Sequence, residues 1–275
     1  MVVTRFFRSS PLGGVAALLL LLLASVAVLA DRLAPYNPLT ANYALTRDPP
    51  LAHHVLGTDH LGRDVLSRII FGARVTLLVA ISSVLLGDSI GFAWGVASGY
   101  LGGRVDLLSQ RVLDALMSLP ALILALLLMA ALGAGLSTVI IAIAVTRVPL
   151  STRVVRSMVL SVKELAYVEA ARALGASGAR VMARHVAPQC VAPFLIITTG
   201  HLGAAIFIEA ALSFVGVGVP PPMPSWGNML GGVLAEAFKP PWWMVVFPGT
   251  AITLTILAVN LFGDALRDFL DPKLK

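Results

Sequence analysis

The chain has a single cysteine, Cys190, among its 275 residues, so it cannot form an internal disulfide. Charge is scarce as well. Asp, Glu, Lys and Arg together make up 12% of the sequence, about half of the roughly 25% usual in soluble domains. It contains no G-x-x-x-x-G-K-[ST] phosphate loop, no H-E-x-x-H and no cysteine cluster, which removes the common signatures of nucleotide hydrolysis and zinc binding. No catalytic residue and no metal-ligand set is assigned. The remainder is apolar: 58% of residues are hydrophobic and the mean hydropathy is +0.90. That excludes a soluble domain and points to a membrane protein.

Apolar runs of roughly 17 to 25 residues suffice to cross a bilayer as helices. Six are placed, at about 12–30, 75–98, 112–132, 136–155, 192–217 and 244–266, with Gly133-Ala134-Gly135 separating the third from the fourth. The expected fold is an all-α membrane protein. Because Lys and Arg concentrate on cytoplasmic loops, orientation follows from counting them. With the N-terminus inside, fourteen of the twenty fall in the cytoplasm: Arg5, Arg8, Arg104, Arg111, seven between 147 and 184, Arg267, Lys273 and Lys275. Both termini are expected there. The same rule explains the net charge of +6 without a nucleic-acid partner. Arg5 and Arg8 precede an apolar run that ends Val28-Leu29-Ala30, an acceptable leader-cleavage site. At about 19 residues that run exceeds the 7 to 15 of a signal peptide, and an uncleaved span is expected.

Between two apolar segments lies Y-V-E-A-A-R-A-L-G-A-S-G-A-R-V-M-A-R-H-V-A-P-Q-C-V-A-P, from Tyr167 to Pro193. Read as a helix, Tyr167, Ala170, Ala171 and Leu174 share a face, while Lys163, Glu169 and Arg172 carry the charge. Ser161 and Glu164 offer a capping box, Gly175 a C-cap, Ser177 a second N-cap and Pro188 a second stop. Two short helices joined at Gly175 are predicted, with a face for a protein partner. Gly175-Ala176-Ser177-Gly178 also fits the G-x-S-G of intramembrane serine proteases, with His201 as a base. Ser177 lies in a basic loop, however, and is read as an N-cap.

Glu169, Ala170, Ala171 and Gly175 form an E-A-A-x-x-x-G that resembles the cytoplasmic coupling loop of the membrane subunits of ABC importers. The I-x-L-P continuation of that pattern falls on His185, Val186, Ala187 and Pro188, where the proline alone matches. Leu56 to Arg68, Leu212 to Leu230 and Asn260 to Pro272 are similar to the dipeptide, oligopeptide and nickel importer permeases, and the single short N-terminal span is similar to their C-type. The resemblance implies the type I ABC importer permease fold, with six transmembrane helices and a cytoplasmic coupling-helix loop at about 156–190. It implies a first unit, 1–74, holding the N-terminal tail, one span and an extracytoplasmic loop with an amphipathic helix, and a core, 75–275, holding five spans. It implies ATPase docking through Tyr167, Glu169, Ala170, Ala171, Arg172, Leu174 and Gly175. The partners it implies are a second homologous permease, two ATP-binding subunits that alone hold ATP, and an extracytoplasmic binding protein. The setting is a bacterial inner membrane and the cargo di- or oligopeptides, or nickel.

Further features qualify this picture. Gly87, Gly91, Gly95 and Gly99 put small residues on one helix face, suited to close packing within the chain or against a partner permease. Asp88 beside them needs a polar partner or water; a buried hydrogen bond to Ser or Thr and a pathway role are both open. His201 and Glu209, two turns apart on the fifth span, are read as lining the pathway or as fixing an interhelical hydrogen bond. Asp59/Arg63 and Asp64/Arg68 have i, i+4 spacing, and with Leu61, Val65, Leu66, Ile69 and Ile70 opposite they predict an amphipathic outer helix. His53, His54 and His60 lack metal-specific spacing. Pro220, Pro221, Pro222 and Pro224 force an extended outer loop, and Trp226, Trp242 and Trp243 are expected at the headgroup level. The competing class is a self-sufficient secondary transporter, in which Asp88, His201 and Glu209 form a proton relay.

Overall fold

Ser10 opens the first helix, α1 (Pro11–Val28): its Oγ accepts from Gly13 N–H at 3.3 Å, and Pro11 stands where no N–H is needed. The computed structural model describes residues 10–236 and 239–270. Arg5, Arg8, Lys273 and Lys275, on which part of the charge count rests, lie outside them. Helices α2 (Ala30–Leu33), α3 (Val65–Leu101), α4 (Gly103–Met117), α5 (Ala121–Leu132), α6 (Leu136–Val162), α7 (Ala166–Ala173), α8 (Gly178–Val181), α9 (Ala187–Phe214), α10 (Trp226–Glu236) and α11 (Trp242–Leu270) follow. Among the described residues the fold is all helical, apart from an isolated bridge between Thr58 and Asp64. Among the described residues five segments are long and apolar enough to cross a membrane, and a bent pair of helices, counted as one span, brings the number to six.

That pair corrects the third predicted span. The span expected at 112–132 is two helices, α4 and α5, set at 87° to each other across Ser118-Leu119-Pro120. Pro120 disfavours helix at the residue before it. α4 turns its polar side to the bundle, where Asp106 meets Arg156, Asp114 meets Arg153 and Ser109 takes Trp94 Nε1 at 2.9 Å. Two other spans run well beyond their apolar runs: α3 has 37 residues, and so does the stretch from Gly178 to Phe214. The boundary drawn at 74 falls inside α3, which runs through it unbroken.

The glycine face of α3 packs within the chain. A Cβ at Gly87 would stand 2.4 Å from Ala144 O, one at Gly95 2.7 Å from Thr152 O, and one at Gly99 2.9 Å from Val159 Cγ1, all on α6. Bare backbone therefore lets α3 and α6 touch along four turns. Around this pair lies the core of Val79, Val84, Ala125, Val139, Ile143, Ile206 and Leu212. α1 joins the bundle at Gly13, where a Cβ would collide with Ala265 of α11, and at its other end, where Arg74 Nε donates to Ala27 O at 2.8 Å and Nη2 to Val28 O at 3.0 Å.

The amphipathic helix expected before α3 forms only from Val65 on, as the first turns of α3 itself; residues 57–64 fold as a turn. Gly57 and Gly62 take φ of 76° and 72°, and Asp59 Oδ1 accepts from the N–H groups of Leu61 (2.8 Å) and Arg63 (2.9 Å), closing a turn. Arg63 Nε does reach Asp59 Oδ2 at 2.6 Å. The second expected pair is replaced: Asp64 caps α3 through Ser67 N (2.8 Å) and holds His54 Nδ1 (2.9 Å), while Arg68 donates to Pro38 O at 3.1 Å and faces Asp59. The aromatic belt is likewise corrected. Trp226 is buried with Nε1 on Ile69 O, Trp243 donates to Thr58 O, and Trp242 is the exposed one of the three.

Candidate functional site

At one end of the bundle α6 runs on to Val162, past the expected capping box; Ser161 Oγ donates back to Ser157 O, and Leu165 precedes α7 without a side-chain cap. After α7 the chain turns at Gly175, with φ of 83°. Ala176 N–H donates to Ala171 O at 3.1 Å and Gly175 N–H to Arg172 O at 2.9 Å. This is the Schellman pattern, in which the left-handed residue is best a glycine. Ser177 then precedes α8 without a side-chain bond. Pro188 does not stop the helix, because a π-helical stretch over Met182–Val186 feeds directly into α9, where Pro188 sits in the first turn.

This elbow is anchored by a face that the sequence reading divided wrongly. Val168 is fully buried and Ala171 packs beside it with Val181 and Val186. Arg172 stacks over the Tyr100 ring at 5.5 Å, and Tyr167 Oη donates to His185 O at 3.1 Å. Ala171 therefore belongs to the inner face. Glu169, Ala170, Ala173 and Leu174 point away from the protein, Leu174 with 89% exposure. Ala170, Ala173 and Leu174 thus leave a small apolar strip uncovered beside Glu169.

The second group of candidate residues is split. Asp88, 1% exposed, accepts from Ser151 Oγ at 2.5 Å and from His201 Nδ1, which is 2.9 Å from each carboxylate oxygen. Arg147 is buried within electrostatic reach of the same carboxylate. The serine bond and the histidine both arrive from other helices, so a carboxylate costly in the membrane is satisfied by α6 and α9. Glu209 lies elsewhere. Eight residues along α9 put it about 12 Å from His201, where it is fully buried and accepts from Thr76 Oγ1 (3.0 Å), Ser213 Oγ (2.8 Å) and Ser225. Ser213 in turn accepts from Val219 N–H. Glu209 thus ties α3, α9 and the proline loop together, and shares no contact with Asp88 or His201.

His201 also lines a cavity of about 1040 Å³ between α6, α9 and α11, with Met158, Thr199, Asn260, Asp264 and Arg267 among its walls. The sequence reading passed over the last three. Their signal was legible, since Asn260, Asp264 and Arg267 recur at i, i+4 and i+7 and place a polar stripe on one face of an otherwise apolar span. Ser177 is a loop residue at the elbow while His201 is engaged with Asp88, so no serine–histidine pair forms.

A helical bundle that crosses the membrane repeatedly, keeps in its wall an apolar cavity edged by a few polar side chains and holds out an exposed elbow at one end defines a multi-pass membrane permease. Residues 91–275 match the family described as binding-protein-dependent transport system inner membrane component, and the chain belongs to that family. It is 42% identical over 257 residues to a putative peptide transport system permease protein of Brucella suis, covering 94% of this chain and 86% of that one. It is 42% identical over 270 residues to the di/tripeptide transport system permease protein DppC of Pseudomonas aeruginosa, covering 96% and 88%. Among solved structures, the inward-facing MetNI methionine ABC transporter matches with a TM-score of 0.63 and 18% identity over 75% of this chain and 98% of that one, which shows the shared fold.

Proposed function

We propose that this chain forms half of the translocation pathway of an ATP-driven importer of small peptides in a bacterial inner membrane, with both termini in the cytoplasm. A second homologous permease completes the pathway. Two ATP-binding subunits seat on the elbow and hold the ATP, while an extracytoplasmic binding protein delivers cargo to the opposite end. The chain itself hydrolyses nothing and carries no cofactor. The observation that carries this reading is the elbow: a fixed Schellman turn at Gly175 holds Glu169, Ala170, Ala173 and Leu174 outward on a buried anchor. Closure of the ATP-binding pair pushes the elbow, and the π-helical continuity from α8 into α9 transmits that push to the cavity wall. Peptide cargo is supported by the two relatives, a putative peptide and a di/tripeptide transport system permease protein. The separation of Glu209 from Asp88 and His201 speaks against the proton relay of a secondary transporter.

The test is mild-detergent purification of the tagged chain from native membranes, comparing wild type with the double variant Glu169→Arg, Gly175→Asp. Recovery of a second permease and ATP-binding subunits with wild type, and loss of the ATP-binding subunits alone in the variant, is expected. A chain that purifies by itself in both forms would contradict the reading.

A further inference from the structure

His201 makes both of its hydrogen bonds through one ring nitrogen. An ionised Asp88 can only accept, so Nδ1 carries a hydrogen toward it, and in the neutral imidazole Nε2 is then the acceptor. The Asp88 side chain is 1% exposed and the His201 side chain 13%. The carboxylate therefore stands behind the ring, and the ring alone reaches the cavity it lines. Ser151 Oγ on α6 holds Asp88 Oδ1 from the far side at 2.5 Å. Two helices thus fix the direction in which a third presents its imidazole.

We propose that His201 Nε2 is a cargo contact on the pathway wall that takes the protonated amino group of a peptide, and that Asp88 is its positioning residue. The proposal rests on the reading of this chain as half of a peptide pathway. The chemistry favours a cation over other donors. A neutral imidazole backed by a buried carboxylate is an acceptor with negative charge behind it, and a cation bound to Nε2 is stabilised by that charge through the ring. The other charged groups around it carry both signs. Arg147 from α6 is turned to the Asp88 side, where it moderates the carboxylate. On α11, Asp264 and Arg267 line the same cavity one turn apart. Asp264 reinforces the preference for an ammonium, and Arg267 offers a site for a carboxylate, so the wall presents both signs needed by a zwitterion. Asn260 is held against α9 at Gly203, where a Cβ would stand 2.7 Å from its Oδ1, and adds a neutral polar contact.

The experiment uses the assembled transporter in nanodiscs, without its binding protein, so that selection upstream does not mask selection in the pathway. Equilibrium binding of alanyl-alanine is compared with that of N-acetyl-alanyl-alanine, which has lost the charge. Wild type is expected to bind the free dipeptide about tenfold more tightly, the scale of one charge-assisted hydrogen bond. His201→Leu is expected to bind both weakly and alike. His201→Gln retains an acceptor and restores part of the preference, whereas Asp88→Asn, which keeps the shape and loses the charge, diminishes it. Wild type that binds neither probe, or His201→Leu with its preference intact, overturns the proposal. If His201→Leu does not assemble, His201→Gln and Asp88→Asn carry the test, and an unchanged preference in both overturns it. Subunit recovery is scored on the same preparations: absence of partners from wild type counts against the importer reading, not against the His201 contact.

Discussion

Gly91 and Ser151 meet so closely that a Cβ on the glycine would stand 2.5 Å from that of the serine. The same serine holds Asp88, so the packing of α3 on α6 and the placement of the buried carboxylate depend on one contact. Gly91→Ala is expected to lower stability by about 1–3 kcal/mol through overpacking. Thermal unfolding in detergent measures this, with Gly249→Ala as a comparison, since nothing lies within 4 Å of a Cβ there. Equal melting temperatures for the two variants would remove the close approach from the account.

Glu209 is a structural tie. Thr76 and Ser213 donate to different oxygens of Glu209; Glu209→Gln keeps one acceptor and lets the other hydroxyl accept from its amide, and is expected to retain most uptake. Glu209→Leu leaves those hydroxyls without their acceptor, and should destabilise the protein by about 1–3 kcal/mol. Uptake and melting temperature measured on the same variants separate the two effects. Loss of uptake in a stable Glu209→Gln protein would restore a role for the charge.

Arg74 binds the last turn of α1 to α3 and also takes Asp31 Oδ2 at 2.8 Å. The guanidinium hydrogen bond holds the Asp31 carboxyl below its usual value of 3.8. A depressed carboxyl contributes to folding above its unfolded value and loses that contribution as pH falls through its folded one, so the contribution is intact near neutral pH and its loss is confined to pH below about 4. Asp31 is exposed, and the contribution is small. The expected readouts of Arg74→Met are an Asp31 titration moved up to the ordinary range, followed by carboxyl NMR, and faster proteolysis beyond Val28. An unmoved titration would show that the pair does not form in the membrane.

Gly175 tests the turn on its own. Alanine in the left-handed region costs about 1–2 kcal/mol, and nothing crowds a Cβ at this position. Gly175→Ala is therefore expected to loosen α7 while leaving the bundle intact. Hydrogen exchange should rise at Ala173 to Ala176 and stay unchanged in α3. A rise spread through α3 would mean that the elbow and the bundle are one cooperative unit.

The sequence made the long spans legible because unbroken apolar runs report directly on burial in lipid. Its failures share a cause. The i, i+4 spacing of Asp59 and Arg63 is satisfied equally by one helical turn and by an Asx turn, and Gly57 and Gly62 decide for the latter through their positive φ. Pro188 reads as a stop, yet it is accommodated in the first turn of α9. Helical spacing alone groups Ala171 with Tyr167, Ala170 and Leu174, whereas burial of Val168 turns Ala171 to the inner face. Asp88 and His201 stand 113 positions apart, and no local pattern joins them. A hydrogen-bond partner for Asp88 was foreseen in kind; that His201 shares it follows from tertiary packing alone.

In the proposed assembly α7 presents a fixed outer face to an ATP-binding subunit. Site-directed crosslinking tests it most directly: in a background with Cys190 replaced by serine, cysteine is placed singly at Ala170, at Leu174 and at the buried Val168, and a short bifunctional maleimide is added to the native membranes. Strong products with an ATP-binding subunit from Ala170→Cys and Leu174→Cys, and little or none from Val168→Cys, are predicted. Expression of all three without any such product, or products from all three alike, would contradict the account.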